Sequence, residues 1–154
     1  MTFIALKFLH ISFMFMGAAF AVGPAALLSL IARSGEAAAI RRSFALAERI
    51  FQISTANYGL GIVSGFVAAL VGSLDLTASW LITAYVLVAL LGVDGTLFDR
   101  WSKDVARDFA SNNGGEATRI DRLRHDRRPV YLLGAMVVLI VAVVFVMVTK
   151  ISVF

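Results

Sequence analysis

The chain alternates long apolar runs with short charged stretches. Residues 8–32, 50–74 and 129–149 contain no Asp, Glu, Lys or Arg, and residues 79–98 contain one acid, Asp94. A helix crossing the hydrocarbon of a bilayer needs about 20 mostly apolar residues, and each run reaches that length. The runs are continuous rather than alternating, and strands in lipid would have to close into a barrel. The pattern predicts an all-α membrane protein, with four transmembrane helices in an up-down bundle. Residues 1–154 then form a single integral membrane domain whose first partner is the lipid bilayer.

The first run has to be distinguished from a secretory signal. Lys7 precedes it, and Ala19-Phe20-Ala21 resembles a small-x-small cleavage site. The apolar stretch continues past that point to Ile31 and has a single basic residue before it, so a retained span is expected.

The polar stretches predict how the spans join. Asp75 to Ala78 is too short for anything but a tight antiparallel hairpin. Residues 36–49 are good helix formers without Pro or Gly, so the second helix should begin well before the membrane. Residues 99–110 extend the third helix, and Ser111-Asn112-Asn113-Gly114-Gly115 breaks it. A helix should restart near Thr118, with Asp121 as a weak capping-box analogue. Pro129 falls at the water–lipid boundary, where a helix start or kink is tolerated. Pro24 is expected to kink the first span.

Helices in lipid associate through close backbone approach. The second span carries Gly61-x-x-x-Gly65-x-x-x-Ala69, three small residues on one face. The first has Ala19-x-x-x-Gly23, and the third has Ala84, Ala89, Gly92 and Gly95. These faces are expected to pack inside the bundle. The same geometry would serve a homo-oligomer or other membrane subunits.

Composition agrees with the pattern. The chain is 60% hydrophobic and 16% charged, against roughly 45–50% and about 25% for soluble domains. Cys is absent, which excludes disulfides, thiolate metal sites and Cys nucleophiles. The net charge of +4 is unevenly placed: 12 of 14 basic residues fall in residues 33–49 and 99–128. The positive-inside rule makes those two loops cytoplasmic and puts the N- and C-termini outside. A bacterial cytoplasmic (inner) membrane is the expected location. The charge is a topology signal rather than a nucleic-acid footprint, so no nucleic acid is expected as a partner. Trp80, Trp101 and Tyr131 lie near span ends, as interfacial aromatics do.

Few residues could carry chemistry. Asp94 is the one formal charge inside a span, a functional candidate by default. Its expected level is the cytoplasmic end of the span, beside the polar turn holding Ser54 and Asn57, whose hydrogen bonds, or a nearby Arg49, would satisfy it. It is either a structural polar clamp or a proton or cation site. His10 lies near the opposite face, at the depth of Met147. Imidazole with thioether could bind haem b or copper, and the alternative is a histidine bridging two helices. His125 sits in the mixed-charge run 119–128, which reads as a solvated helix or a surface for anionic headgroups.

Lys7-Phe8-Leu9-His10 opening the first span, Gly17 and Gly23 within it, and Met147-Val148-x-Lys150 closing the fourth resemble a bacterial family of four-span integral membrane proteins of unassigned function. The first-span histidine is also similar to that of the copper-resistance D-like proteins and the HemJ-type protoporphyrinogen oxidases. The latter resemblance implies haem held by membrane histidines, and His10 alone carries over. The Trp-x-Gly-Gly element expected after that histidine is here Phe15-Met16-Gly17, and the Pro expected after Lys150 is Ile151. The expected function is a non-enzymatic accessory subunit of a larger membrane complex. The alternatives are a haem or copper redox protein using His10 and a small transporter or channel using Asp94.

Overall fold

The computed structural model describes residues 1–111 and 115–150. It is all helical: α1 (Thr2–Ser34), α2 (Ala37–Val71), α3 (Ser79–Ala110), α4 (Glu116–His125) and α5 (Arg128–Thr149). Four helical segments are long and apolar enough to cross a membrane: α1, α2, α3 and the α4–α5 stretch. The long helices form an up-down bundle in which α1 packs chiefly on α2, and α3 chiefly on α5. Contacts of α2 with α3 and of α1 with α5 close the ring.

The ends are chemically distinct. Gly72 meets Phe3, and Lys150 Nζ lies 5.8 Å from the Trp80 ring, so the start of α1, the end of α5 and the α2–α3 turn share one end. The α1–α2 turn and α4 occupy the other, with most of the basic residues. The helices outgrow the membrane. At 1.5 Å per residue α2 is roughly 50 Å long, against about 30 Å of hydrocarbon. The excess lies at the charged end, as residues 36–49 and 99–110 lead one to expect.

The largest buried cluster sits there. It joins Ala25, Leu28 and Ala32 of α1, Ile40, Phe44 and Ala47 of α2, Phe98, Trp101, Val105 and Phe109 of α3, and Leu123 of α4. Phe44 and Phe98 both stack edge-on against Trp101, with centroids 5.4 and 5.2 Å away. Trp101 is therefore a core residue rather than an interfacial one. The cluster reaches from the apolar runs into the charged end: Ile40 precedes Arg41 and Arg42, and Leu123 stands between Arg122 and Arg124. A smaller cluster of Ala21, Leu91 and Met136 lies farther into the membrane-spanning part.

The last helical segment restarts close to Thr118 and begins anew at Arg128, beside Pro129. It starts at Glu116, two residues before Thr118, and it is broken between His125 and Arg128. Asn112, Asn113 and Gly114 of the expected break, and Ile151, lie outside the described residues. The second break has a physical cause. Pro129 lacks an N–H and disfavours helical geometry in the residue before it. Asp126 fills the gap: its Oδ1 accepts the Arg128 N–H at 2.9 Å, and its Oδ2 accepts Trp101 Nε1 at 3.0 Å. One carboxylate thus starts α5 and ties it to α3. Arg119 closes the end of α3, donating to the carbonyls of Asp108 and Ser111, where a cation suits the helix dipole. Gly35 turns α1 into α2 with φ 77°, a conformation that favours glycine.

Two predictions follow from these joints. Asp126→Ala removes a helix-starting bond and leaves the indole N–H unpaired; the two losses together are expected to cost about 1–3 kcal/mol. Thermal unfolding in detergent should show a lower midpoint, and Trp101→Phe in the Asp126→Ala background should add less than it does alone. At the opposite end, Asp75 Oδ1 accepts the Thr77 hydroxyl at 2.6 Å and its N–H at 2.9 Å. These bonds hold the Asp75 carboxyl below its ordinary value of 3.8. A depressed value means the carboxylate supports the turn above that pH and lets go as pH falls through the lowered value. The Thr77 amide resonance should therefore titrate with a midpoint below 3.8.

Candidate functional site

The membrane-spanning interior is built on α2. Its inward positions step three and four residues apart through Phe51, Ser54, Tyr58, Gly61, Gly65 and Ala68, the spacing of a helix seam. The small residues receive larger ones from α1. A Cβ at Gly65 would stand 2.5 Å from the His10 ring, and one at Gly61 would stand 2.7 Å from Met14 Sδ. Tyr58 reciprocates, its ring lying over Gly17 where a Cβ would be 3.1 Å away. Ala69 is buried on the same helix. Gly61 and Gly65 therefore face α1 within the chain.

Of the other small residues, Ala84 is fully buried, but the rest behave differently. Gly23, Gly92 and Gly95 have no atom within 4 Å of a Cβ position, and Ala19 is exposed beside an open groove. Small size permits close approach but does not supply a neighbour, so sequence spacing alone overstates the internal interface.

His10 is half-buried between α1 and α2. Its Nδ1 lies 2.7 Å from the Gly61 carbonyl. A carbonyl oxygen only accepts, so Nδ1 carries the proton and donates. The same oxygen accepts Ser64 Oγ at 3.0 Å. Met147 is half-buried on α5. Phe15 and Val141 line one groove, which puts α1 and α5 in a register that makes His10 and Met147 level, as expected. The His10 ring is nonetheless turned onto α2, and its described hydrogen bond is a helix-to-helix one. Among the described residues no group of three or more His, Cys, Asp or Glu is placed to hold a metal ion.

Asp94 is buried, with 7% of its surface exposed. It occupies an inward position of α3 between Leu91 and Phe98, which are also buried. The expected donors are engaged elsewhere. Ser54 Oγ donates to the Gly17 carbonyl at 2.8 Å, binding α2 to α1. Asn57 Nδ2 donates to Ile53 O of its own helix at 2.8 Å, and Thr55 likewise bonds Phe51 O. Asp94 Oδ2 has no partner among the described residues, and the same holds for the Tyr58 hydroxyl. Nor is Asp94 at an open mouth: Phe98, fully buried, and Trp101 stand between it and the charged end. Its level is that of the polar turn of α2, and the bundle core continues beyond it to Trp101 and Val105.

Sequence reasoning passed over two residues, Asp126 and Arg119. The signal for Asp126 was present, since Asp followed three residues later by Pro marks a helix start. Arg119 had no such signal, because its carbonyl partners belong to another helix end.

No family model, curated protein or solved structure matches the chain.

The α1–α2 ladder generates a mutational prediction. Gly65→Ala forces the His10 ring off Gly61 and should destabilise the bundle by about 1–3 kcal/mol, the cost of overpacking and a lost hydrogen bond. Gly59→Ala, where a Cβ meets nothing, should be neutral or stabilising. Adding His10→Ala to Gly65→Ala should recover part of the loss, which a double-mutant cycle of thermal midpoints would read.

Proposed function

We propose that the protein is a non-enzymatic accessory subunit of a larger membrane complex. The observation that carries this reading is the set of small residues its own bundle leaves unused. Gly23 on α1 and Gly92 and Gly95 on α3 have nothing against them. Such positions let a neighbouring backbone come close in lipid. The groove between α1 and α5, about 340 Å³, is lined only by Phe15, Ala18, Ala19, Val22, Val137, Ile140 and Val141. That lining offers shape and no polar chemistry. His10 and Ser54 are engaged in holding α1 to α2.

Orientation belongs to the same proposal. The charged end, with Arg33, Arg41, Arg42 and the α4 arginines, faces the cytoplasm, and both termini face outward across a bacterial inner membrane. The chain has no Cys, so single-cysteine variants start from a silent background. Ser111→Cys should be shielded from an impermeant maleimide in intact cells, and Leu74→Cys should be labelled.

Extraction at native expression level in mild detergent, with mass spectrometry and a visible spectrum of the same sample, tests the function. Stoichiometric larger membrane subunits should co-purify, and Gly92→Leu should release them while leaving the isolated bundle folded. A stable, colourless monomer would overturn the reading. A Soret band that follows this chain alone would replace it with a haem protein, with His10 the first residue to mutate.

A further inference from the structure

Two polar atoms in the membrane-spanning interior are buried without a hydrogen-bond partner, Asp94 Oδ2 and the Tyr58 hydroxyl. They lie within about one helical turn of each other along the bundle. Asp94 follows Leu91 by one turn on the inward face of α3, and Tyr58 packs against the cluster that contains Leu91. On the other side of Asp94, Phe98 meets Phe51 of α2 with ring centroids 5.7 Å apart. The antiparallel register of α2 and α3 therefore sets Asp94 level with residues 54–58. From α1 this layer receives Gly17, whose carbonyl already holds Ser54. On α1, Ala21 lies one turn nearer the charged end than Gly17 and belongs to a cluster with Leu91 and Met136, and on α3 Phe98 and Trp101 follow Asp94 toward that end.

We propose that the Asp94–Tyr58 layer is a binding site for a small cation, either a proton or an alkali-metal ion. The argument is one of charge. A carboxylate withdrawn from water and left unpaired is among the costliest groups a protein can carry. No element around it offers a countercharge. No titratable residue lies between His10 and Arg33 on α1, or between Tyr131 and Lys150 on α5. Between Arg49 and the end of α2 there is only Tyr58, and between Ser79 and Phe98 on α3 only Tyr85 and Asp94 itself. A trapped water would satisfy hydrogen bonds but not the charge. The balancing charge comes from outside the chain, and the aromatic layer around Phe98 admits nothing bulky. Tyr58 suits either cation, since its oxygen can accept from a carboxylic acid or ligate a metal ion, and its O–H can donate to the carboxylate. This site goes beyond the accessory-subunit reading and exists in the isolated chain, so either can fail without the other.

The full-length protein in mild detergent is treated with dicyclohexylcarbodiimide, an apolar reagent for protonated carboxyls, and the label is located by peptide mass spectrometry. Asp94 should be the labelled residue, and Asp94→Asn should lose the label. If the cation is a proton, labelling falls several-fold as pH rises and ignores the salt. If it is a metal ion, labelling at fixed pH falls several-fold when sodium or potassium chloride replaces choline chloride. Tyr58→Phe keeps the carboxyl and should displace the midpoint of whichever dependence is seen. Labelling of Asp94 that responds to neither pH nor cation would overturn the proposal, as would its absence while the water-exposed carboxyls react. Identical midpoints in wild type and Tyr58→Phe would overturn the pairing.

Discussion

The bundle is held from its wet end. Inside a bilayer, apolar side chains gain little by meeting one another, because lipid is as apolar as they are. Water restores the driving force. This chain extends its first three helices beyond the hydrocarbon on one side and places its bulkiest buried residues there: Phe44, Phe98, Trp101 and Phe109. Four helices contribute to that cluster, whereas the membrane-spanning cluster is built on Ala21, Leu91 and Met136. Asp126 and Arg119 reinforce the same end, one starting α5 and the other closing α3. The ion pair of Arg41 with Glu116 at 3.1 Å is exposed and adds little by comparison.

Within the membrane the helices rely on a different device. α2 removes side chains at Gly61 and Gly65 so that α1 can insert Met14 and His10, and α1 removes one at Gly17 so that Tyr58 can return the contact. The close approach brings polar atoms together as a consequence. His10 reaches the Gly61 carbonyl and Ser54 reaches the Gly17 carbonyl, each across the interface. These bonds are made where no water competes, and their partners are backbone groups that cannot turn away. The α1–α2 pair is thereby fixed in register as well as in contact. The α3–α5 pair has no comparable side-chain bond between its spanning portions among the described residues, and apolar packing around Leu91 and Met136, with Asp126 at the charged end, holds it.

What the sequence made legible follows this division. The spans, the hairpin between α2 and α3 and the early start of α2 were plain from uninterrupted apolar runs and local propensity, since each depends on a short window. Gly61 and Gly65 share one face of α2, and that face meets α1. Gly92 and Gly95 looked alike in sequence and meet nothing in the fold, because a neighbour is a property of the other helix. Trp101 looked interfacial because its position was measured against the bilayer and not against a core that runs past it. The polar turn of α2 suggested partners for Asp94, yet Ser54 faces α1 and Asn57 bonds its own helix. Which way a helix is rotated cannot be read from one helix alone.

Asp94 is where these levels of description disagree most. Leu91, Asp94, Phe98, Trp101 and Val105 form one inward seam on α3, and every member but Asp94 is apolar. An apolar residue there would continue the seam and join the two buried clusters into a single core. The acid separates them instead, and the chain provides neither a donor nor a countercharge in return. Two of the other buried polar side chains have an evident use: Ser54 binds α1, and Ser29 bonds the Ala25 carbonyl of its own helix. Local rules that a protein breaks without structural compensation concentrate at functional positions. The wet-end core is strong enough to carry that cost, since it fixes α1, α2 and α3 on the near side of Asp94 independently of what happens in the layer above. A bundle clamped at one end can therefore keep an uncompensated carboxyl in its interior and remain folded.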